Sequence, residues 1–166
     1  MTDWTARRIL RELVDATRRK QILGDFWRFA DAAQRSGAEA YLAKALRFRE
    51  VTVRKMPPAK KADLLALRLA DPEVEPYLEM ALMQHHLHHA KDLMAAFLDR
   101  WGIPHVEGAI GDGEGTAPDV DGVRAAVAAL AGTFAREDMR LYLAAAGLVM
   151  GEDWQRATWT VVDEMT

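Results

Sequence analysis

The chain contains no cysteine. That excludes disulfides, thiolate metal sites, iron–sulfur clusters and a cysteine nucleophile. Serine is almost as scarce: Ser36 is the sole one, next to Gly37, and nothing around it resembles a nucleophile with its base. Long apolar runs are missing too. The longest, Leu141 to Met150, is too short to cross a bilayer. No apolar signal core follows Met1-Thr2-Asp3-Trp4, so a soluble cytoplasmic protein with no membrane partner is expected.

What remains is a chain of 166 residues, 50% hydrophobic and 28% charged, which is a globular composition. Its length predicts one helical domain over 1–166, with a sub-boundary, if there is one, at the glycine-rich stretch 102–118. The net charge of −3 hides a split. Residues 1–61 hold 15 Lys+Arg against 7 Asp+Glu, a balance of +8, while residues 62–166 stand at −11. Such a split fits an electrostatic partner, or attraction between the halves that includes head-to-tail association of two copies.

Apolar periodicity of 3.6 residues recurs along the chain, and no convincing pair of strands is present. The fold class is therefore all-α, an irregular bundle of about seven helices. Residues 4–23 read as one helix ended by Gly24. Asp25 reads as the cap of a short helix that ends at Ser36-Gly37. A longer helix runs from about Ala38 to Lys55 and is stopped by Pro57-Pro58. Within it Val51-Thr52-Val53 has a strand habit but no partner strand, so it is kept helical. Ala59–Ala70, Asp119–Phe134, Arg136–Met150 and Asp153–Met165 complete the set.

The most informative helix is 73–101. Asp71-Pro72-Glu73 supplies an oxygen cap, a proline at the first helical position and an acid near the positive end of the helix dipole. Met80, Met83, Leu87, Met94, Leu98 and Trp101 form one apolar face, and Leu78, Ala81, Leu82, Leu93 and Ala96 the opposite one. A helix apolar on two sides is covered on two sides, so this rod is expected at the centre of the bundle. It carries four of the five histidines, in His85-His86-Leu87-His88-His89. His85 and His89 lie one turn apart, with Asp92 one turn beyond on the same face, while His86 and His88 flank the helix. Two imidazoles at i and i+4 with a carboxylate suit zinc or a non-haem iron. Further ligands would come from elsewhere, with His105, Glu137 and Asp138 as candidates. The motif has neither the His-Glu-x-x-His order of zinc proteases nor the Glu-x-x-His pairs of di-iron bundles. The ordinary alternative is a pair of core histidines hydrogen-bonded to Asp92 or to neighbouring helices. A cluster of imidazoles near neutrality would also suit a pH-sensitive interface.

The amino-terminal part is basic. Arg7, Arg8, Arg11 and Arg18 share one side of the first helix, and phosphate contacts need such a surface. Asp15 sits within that arginine face at i±3 and i±4 spacing, which describes an ordinary ion-paired surface. Gly111-Asp112-Gly113-Glu114-Gly115 is too acidic for a phosphate cradle and lacks the calcium-loop order, so it reads as a flexible connector.

These observations rank three functions. The first is a non-catalytic helical protein for protein–protein interaction or homo-oligomerisation, most simply a homodimer, with no cofactor. The second is a metal-binding helical protein, or an enzyme, built on His85, His89 and Asp92. Nucleic-acid binding through the basic helices is third and not favoured.

Overall fold

The computed structural model describes residues 1–111 and 115–165. The chain is all-α, an irregular arrangement of helices as the periodicity predicts. Among the described residues there are ten α-helices and one 3-10 turn, and no strand beyond an isolated bridge between Val106 and Ala109. The contacts of the chain group into two compact units, Ala6–His85, and Met1–Thr5 with His86–Thr166.

In the first unit the expected helix 4–23 is two helices, α1 (Ala6–Glu12) and α2 (Ala16–Phe29). Asp15 makes the break. Its backbone is extended and its side chain accepts the Arg18 N–H at 2.7 Å, so it caps α2 instead of sitting within an arginine face. Gly24 does not end this helix, and Asp25 does not begin another. Both lie inside α2, with Asp25 buried beside Phe26. The cap of the next helix is Asp31. It forms a reciprocal capping box with Gln34 and opens α3 (Ala32–Leu46), which runs straight through Ser36-Gly37. Arg47 ends α3 in the left-handed conformation, with φ 57°. The expected 38–55 helix is thereby cut short, and Val51-Thr52-Val53 falls in a separate short helix, α4 (Glu50–Arg54).

Then come α5 (Pro58–Ala66), the 3-10 turn Pro72–Val74 and α6 (Glu75–His89). Packing of α2 on α5 and of α3 on α4 buries Ile22, Leu23, Phe26, Leu42 and Leu65 together with Ile9, Leu10, Leu78 and Leu82. Polar stitches fix the order. The Glu75 carboxylate accepts the Ala6 N–H and the Arg7 Nε–H, the latter at 2.9 Å, which satisfies donors left open at the start of α1. Asp71 caps the 3-10 turn through the Glu73 N–H and accepts the Tyr41 hydroxyl at 2.7 Å. A buried Lys61 ammonium bonds Glu39 at 2.8 Å and lies over the Trp27 ring.

The continuous rod expected over 73–101 is not formed. It starts as the 3-10 turn and breaks at Ala90 (φ −130°, ψ 26°), after which α7 (Lys91–Arg100) begins. No glycine or proline marks this break, which is why periodicity runs across it. Leu78, Ala81 and Leu82 of α6 are buried, whereas Met80, Met83 and Leu87 are half-buried.

The second unit continues from α7. Gly102, at φ 65°, lets the Ile103 N–H reach back to the Leu98 carbonyl and close the helix. The loop that follows agrees with the expected 102–118 stretch in its described part; Asp112, Gly113 and Glu114 lie outside the described residues. Asp119 caps α8 (Val120–Leu130), shorter than the expected 119–134, and α9 (Arg136–Met150) and α10 (Glu152–Glu164) follow. Helix α10 packs against both α8 and α9. At the α9–α10 contact the Trp159 Nε1–H donates to the Ala144 carbonyl at 3.1 Å, and its indole fills the space next to Gly147. The extreme N-terminal residues belong here: the Thr2 N–H and the Trp4 Nε1–H donate to the two oxygens of Asp163 at 2.7 and 3.1 Å.

Two predictions follow from the second unit's packing. A methyl group at position 147 would collide with the Trp159 indole. Gly147→Ala is therefore expected to cost about 1–3 kcal/mol as Trp159 is displaced. A chemical-denaturation midpoint equal to the parent's would contradict that packing. Burial pushes the Asp163 carboxyl up, but hydrogen bonds from Thr2 and Trp4 outweigh it and hold it below its ordinary value. The stabilisation is complete above the ordinary carboxylate range, about pH 4, and is lost as pH falls through the lower folded-state value. Acid should free Trp4 before the helices melt. The measure is acrylamide quenching in a variant that keeps Trp4 as its reporter tryptophan, compared with far-ultraviolet helicity.

Candidate metal centre

Helix α2 brings one carboxylate to the histidines of α6. Asp25 follows Ile22 and Leu23 on the inward side of α2, and Phe26 next to it is fully buried. An ionisable group at such a position needs a partner, because an unpaired carboxylate is costly to desolvate. The partner is His85. Its Nδ1 lies 2.9 Å from Asp25 Oδ2, and both side chains are buried. The ionised carboxylate only accepts, so Nδ1 carries the hydrogen and, in the neutral ring, Nε2 holds the lone pair.

His89 is one turn on from His85 along the same unbroken helix α6. Asp25, His85 and His89 each offer a ligand atom, and the three atoms lie within 4.8 Å of one another. Asp25 and His85 are buried, while His89 is exposed. The site thus has a dry side and a wet one. Around an ion with bonds of about 2.0–2.1 Å, neighbouring donors sit about 3 Å apart. The Asp25–His85 pair already has that spacing. Arg28, one turn beyond Asp25 on α2, places its NH1 nitrogen 4.0 Å from Asp25 Oδ1.

The structure brings together two of the three sequence candidates and supplies a different carboxylate. Asp92 lies beyond the break at Ala90, exposed in the first turn of α7, and is not one of the three. Periodicity carried across that break is what put it on the histidine face. Of the further candidates, His105 is held by its own neighbours. His105 Nε2 bonds Asp99 at 2.9 Å and its Nδ1 accepts the Gly108 N–H at 3.0 Å. Glu137 and Asp138 lie in the first turn of α9. His86 is buried against the Tyr142 ring, at 5.8 Å between centroids. No local spacing marks Asp25 as a partner of the histidines. Its signal was a lone acid in the apolar stripe of Ile22, Phe26 and Phe29, disguised by the glycine before it.

Comparison of the chain with family models, with curated proteins and with solved structures gives no match in any of the three.

If Asp25 and His85 hold each other, their substitutions are not additive. Asp25→Ala and His85→Ala are each expected to destabilise by about 1–3 kcal/mol. The double variant should lose less than the sum, with a coupling of about 0.5–3 kcal/mol. Urea denaturation of the four proteins measures this, and strict additivity would remove the pair from the account.

Proposed function

We propose that this is a metal-binding helical protein, with Asp25, His85 and His89 as ligands of one divalent transition ion. The observation that carries the reading is the convergence of three ligand atoms within 4.8 Å, two of them from buried side chains. Two imidazoles and one carboxylate favour zinc or ferrous iron over magnesium or calcium, which take oxygen shells. Three protein ligands leave a coordination position for water or a substrate, which is the pattern of reactive sites and not of closed structural ones. An ion at His85 Nδ1 leaves that ring's hydrogen on Nε2, so His85 ligates as a neutral imidazole.

Self-association and nucleic-acid binding have less to rest on. Phe48 and Val51 are about half exposed and Leu67 is 79% exposed, but apolar side chains in ones and twos are ordinary on a protein surface. Much of the basic surface is ion-paired, as in Arg7–Glu75, Arg8–Glu12, Lys20–Asp63 and Lys44–Glu73.

The test uses the untagged protein and calorimetric titration with zinc, and with ferrous iron under anaerobic conditions. One ion per chain is expected, with stabilisation of about 2.7 kcal/mol at a free ion concentration one hundred times Kd. His89→Ala, at the exposed ligand, should fold normally and weaken binding by at least about 10–100-fold, the scale set by loss of supporting groups in known sites. Asp92→Ala should leave binding unchanged. Absence of stoichiometric uptake overturns the reading, and so does an Asp92→Ala variant that loses the ion while His89→Ala keeps it.

A further inference from the structure

We infer that Arg28 makes this centre a receptor for a small oxyanion, a carboxylate or a phosphate, bound jointly by the ion and the guanidinium. The inference rests on the metal-binding reading above and adds the class of ligand that fills the open position.

The first support is charge. Asp25 supplies one negative charge and the two imidazoles, as ligands, none. A divalent ion on this set leaves a centre of net charge +1. Arg28 adds another positive charge next to it, since its NH1 nitrogen is 4.0 Å from Asp25 Oδ1. Among the described residues this is Arg28's one ion pair, so no second acid offsets it. Two positive charges beside an open coordination position attract an anion, and the low dielectric of the buried Asp25–His85 side strengthens the pull.

Geometry is the second support. At 4.0 Å Arg28 is within ion-pair range of Asp25 but makes no hydrogen bond to it. Its side chain is 68% exposed against 5% for Asp25, so the guanidinium stands at the wet edge of the cluster while the carboxylate stands inside. Once Asp25 bonds an ion, the attraction that draws Arg28 to its Oδ1 weakens. The planar fork of the guanidinium is then available to an incoming ligand. A carboxylate or phosphate has the complementary shape: one oxygen reaches the ion while another accepts from the guanidinium. The position of Arg28 in the last turn of α2 also suits the helix dipole, but that alone would be served by a guanidinium pointing anywhere.

The test uses the intact protein loaded with cobalt(II), whose visible spectrum reports changes in the shell. Acetate and inorganic phosphate are titrated separately, with sodium perchlorate holding ionic strength constant. A saturable spectral change is expected with at least one of the two, and the pair of titrations tells carboxylate from phosphate selectivity. Arg28→Gln should weaken the anion by about tenfold or more, and Arg28→Lys by less, because the charge stays while the fork is lost. Cobalt affinity should be unchanged or slightly raised in Arg28→Gln, which removes a neighbouring positive charge. If cobalt binds but neither anion changes the spectrum, or if Arg28→Gln binds the anion as well as the parent, this inference is wrong and the metal site stands. If cobalt does not bind at all, the metal reading fails and takes this one with it.

Discussion

A carboxylate inside the apolar stripe of a helix is the constraint on which the candidate site depends. Asp25 lies in the middle of α2 between Leu23 and Phe26, both fully buried. Taking a carboxylate out of water costs several kcal/mol, and an interaction with a well-placed donor recovers that cost only if the geometry holds. His85 Nδ1, at 2.9 Å, is such a donor. The pair pins the register of α6 against α2, since a shift by one residue on either helix would leave a buried polar group facing hydrocarbon. In this sense Asp25 and His85 do for the first unit what Glu75 does at the start of α1 and Tyr41 at Asp71: each ties residues far apart in sequence by a bond that only one alignment permits.

The same requirement explains how a site can sit in an otherwise ordinary helical core. Hydrophobic faces specify roughly where a helix lies, and small rotations change their energy little. Polar pairs are more exacting. The Trp159 indole shows an equivalent constraint made by shape: it needs Gly147 to be bare and the Ala144 carbonyl to be in reach. A chain built this way holds its functional groups to within a hydrogen-bond length without any disulfide, which its composition forbids.

The fold class and the helices α5, α8, α9 and α10 can be read from the sequence, because apolar spacing and capping residues are local properties. Helix α9 is found where periodicity places it. The departures are of two kinds. Gly24, Asp25, Ser36 and Gly37 have an intrinsic turn preference, yet α2 and α3 pass through them. Tertiary contact overrides a weak local preference: Tyr77 lies against Gly37 and donates its hydroxyl to the Gly37 carbonyl at 3.1 Å. The converse failure is Ala90, where no residue type announces a break. Half of the histidine pattern was legible for the same reason. His85 and His89 are related by helix geometry, which the sequence states. Asp25 is 60 residues away from His85, and only folding relates them.

That distance changes what an ion would do. Ligands at His85, His89 and Asp92 on one rod would have made a local site, and an ion there would have stiffened a single helix. With Asp25 in the set, an ion bound as proposed would join α2 to α6 and close a loop of the chain, so its binding energy would act on tertiary structure. Such a site would also be sensitive to anything that moves α2. Arg28 is on α2, one turn from Asp25 and at the solvent edge, so an anion held by Arg28 and the ion would pull on the same helix that supplies the carboxylate. Ion and anion would then be linked through the packing of α2 on α6, each raising the other's affinity by the same factor. A centre made from one helix could not couple in this way, and the break at Ala90, which sets Asp92 outside the group, is what moves the carboxylate's role to a second helix.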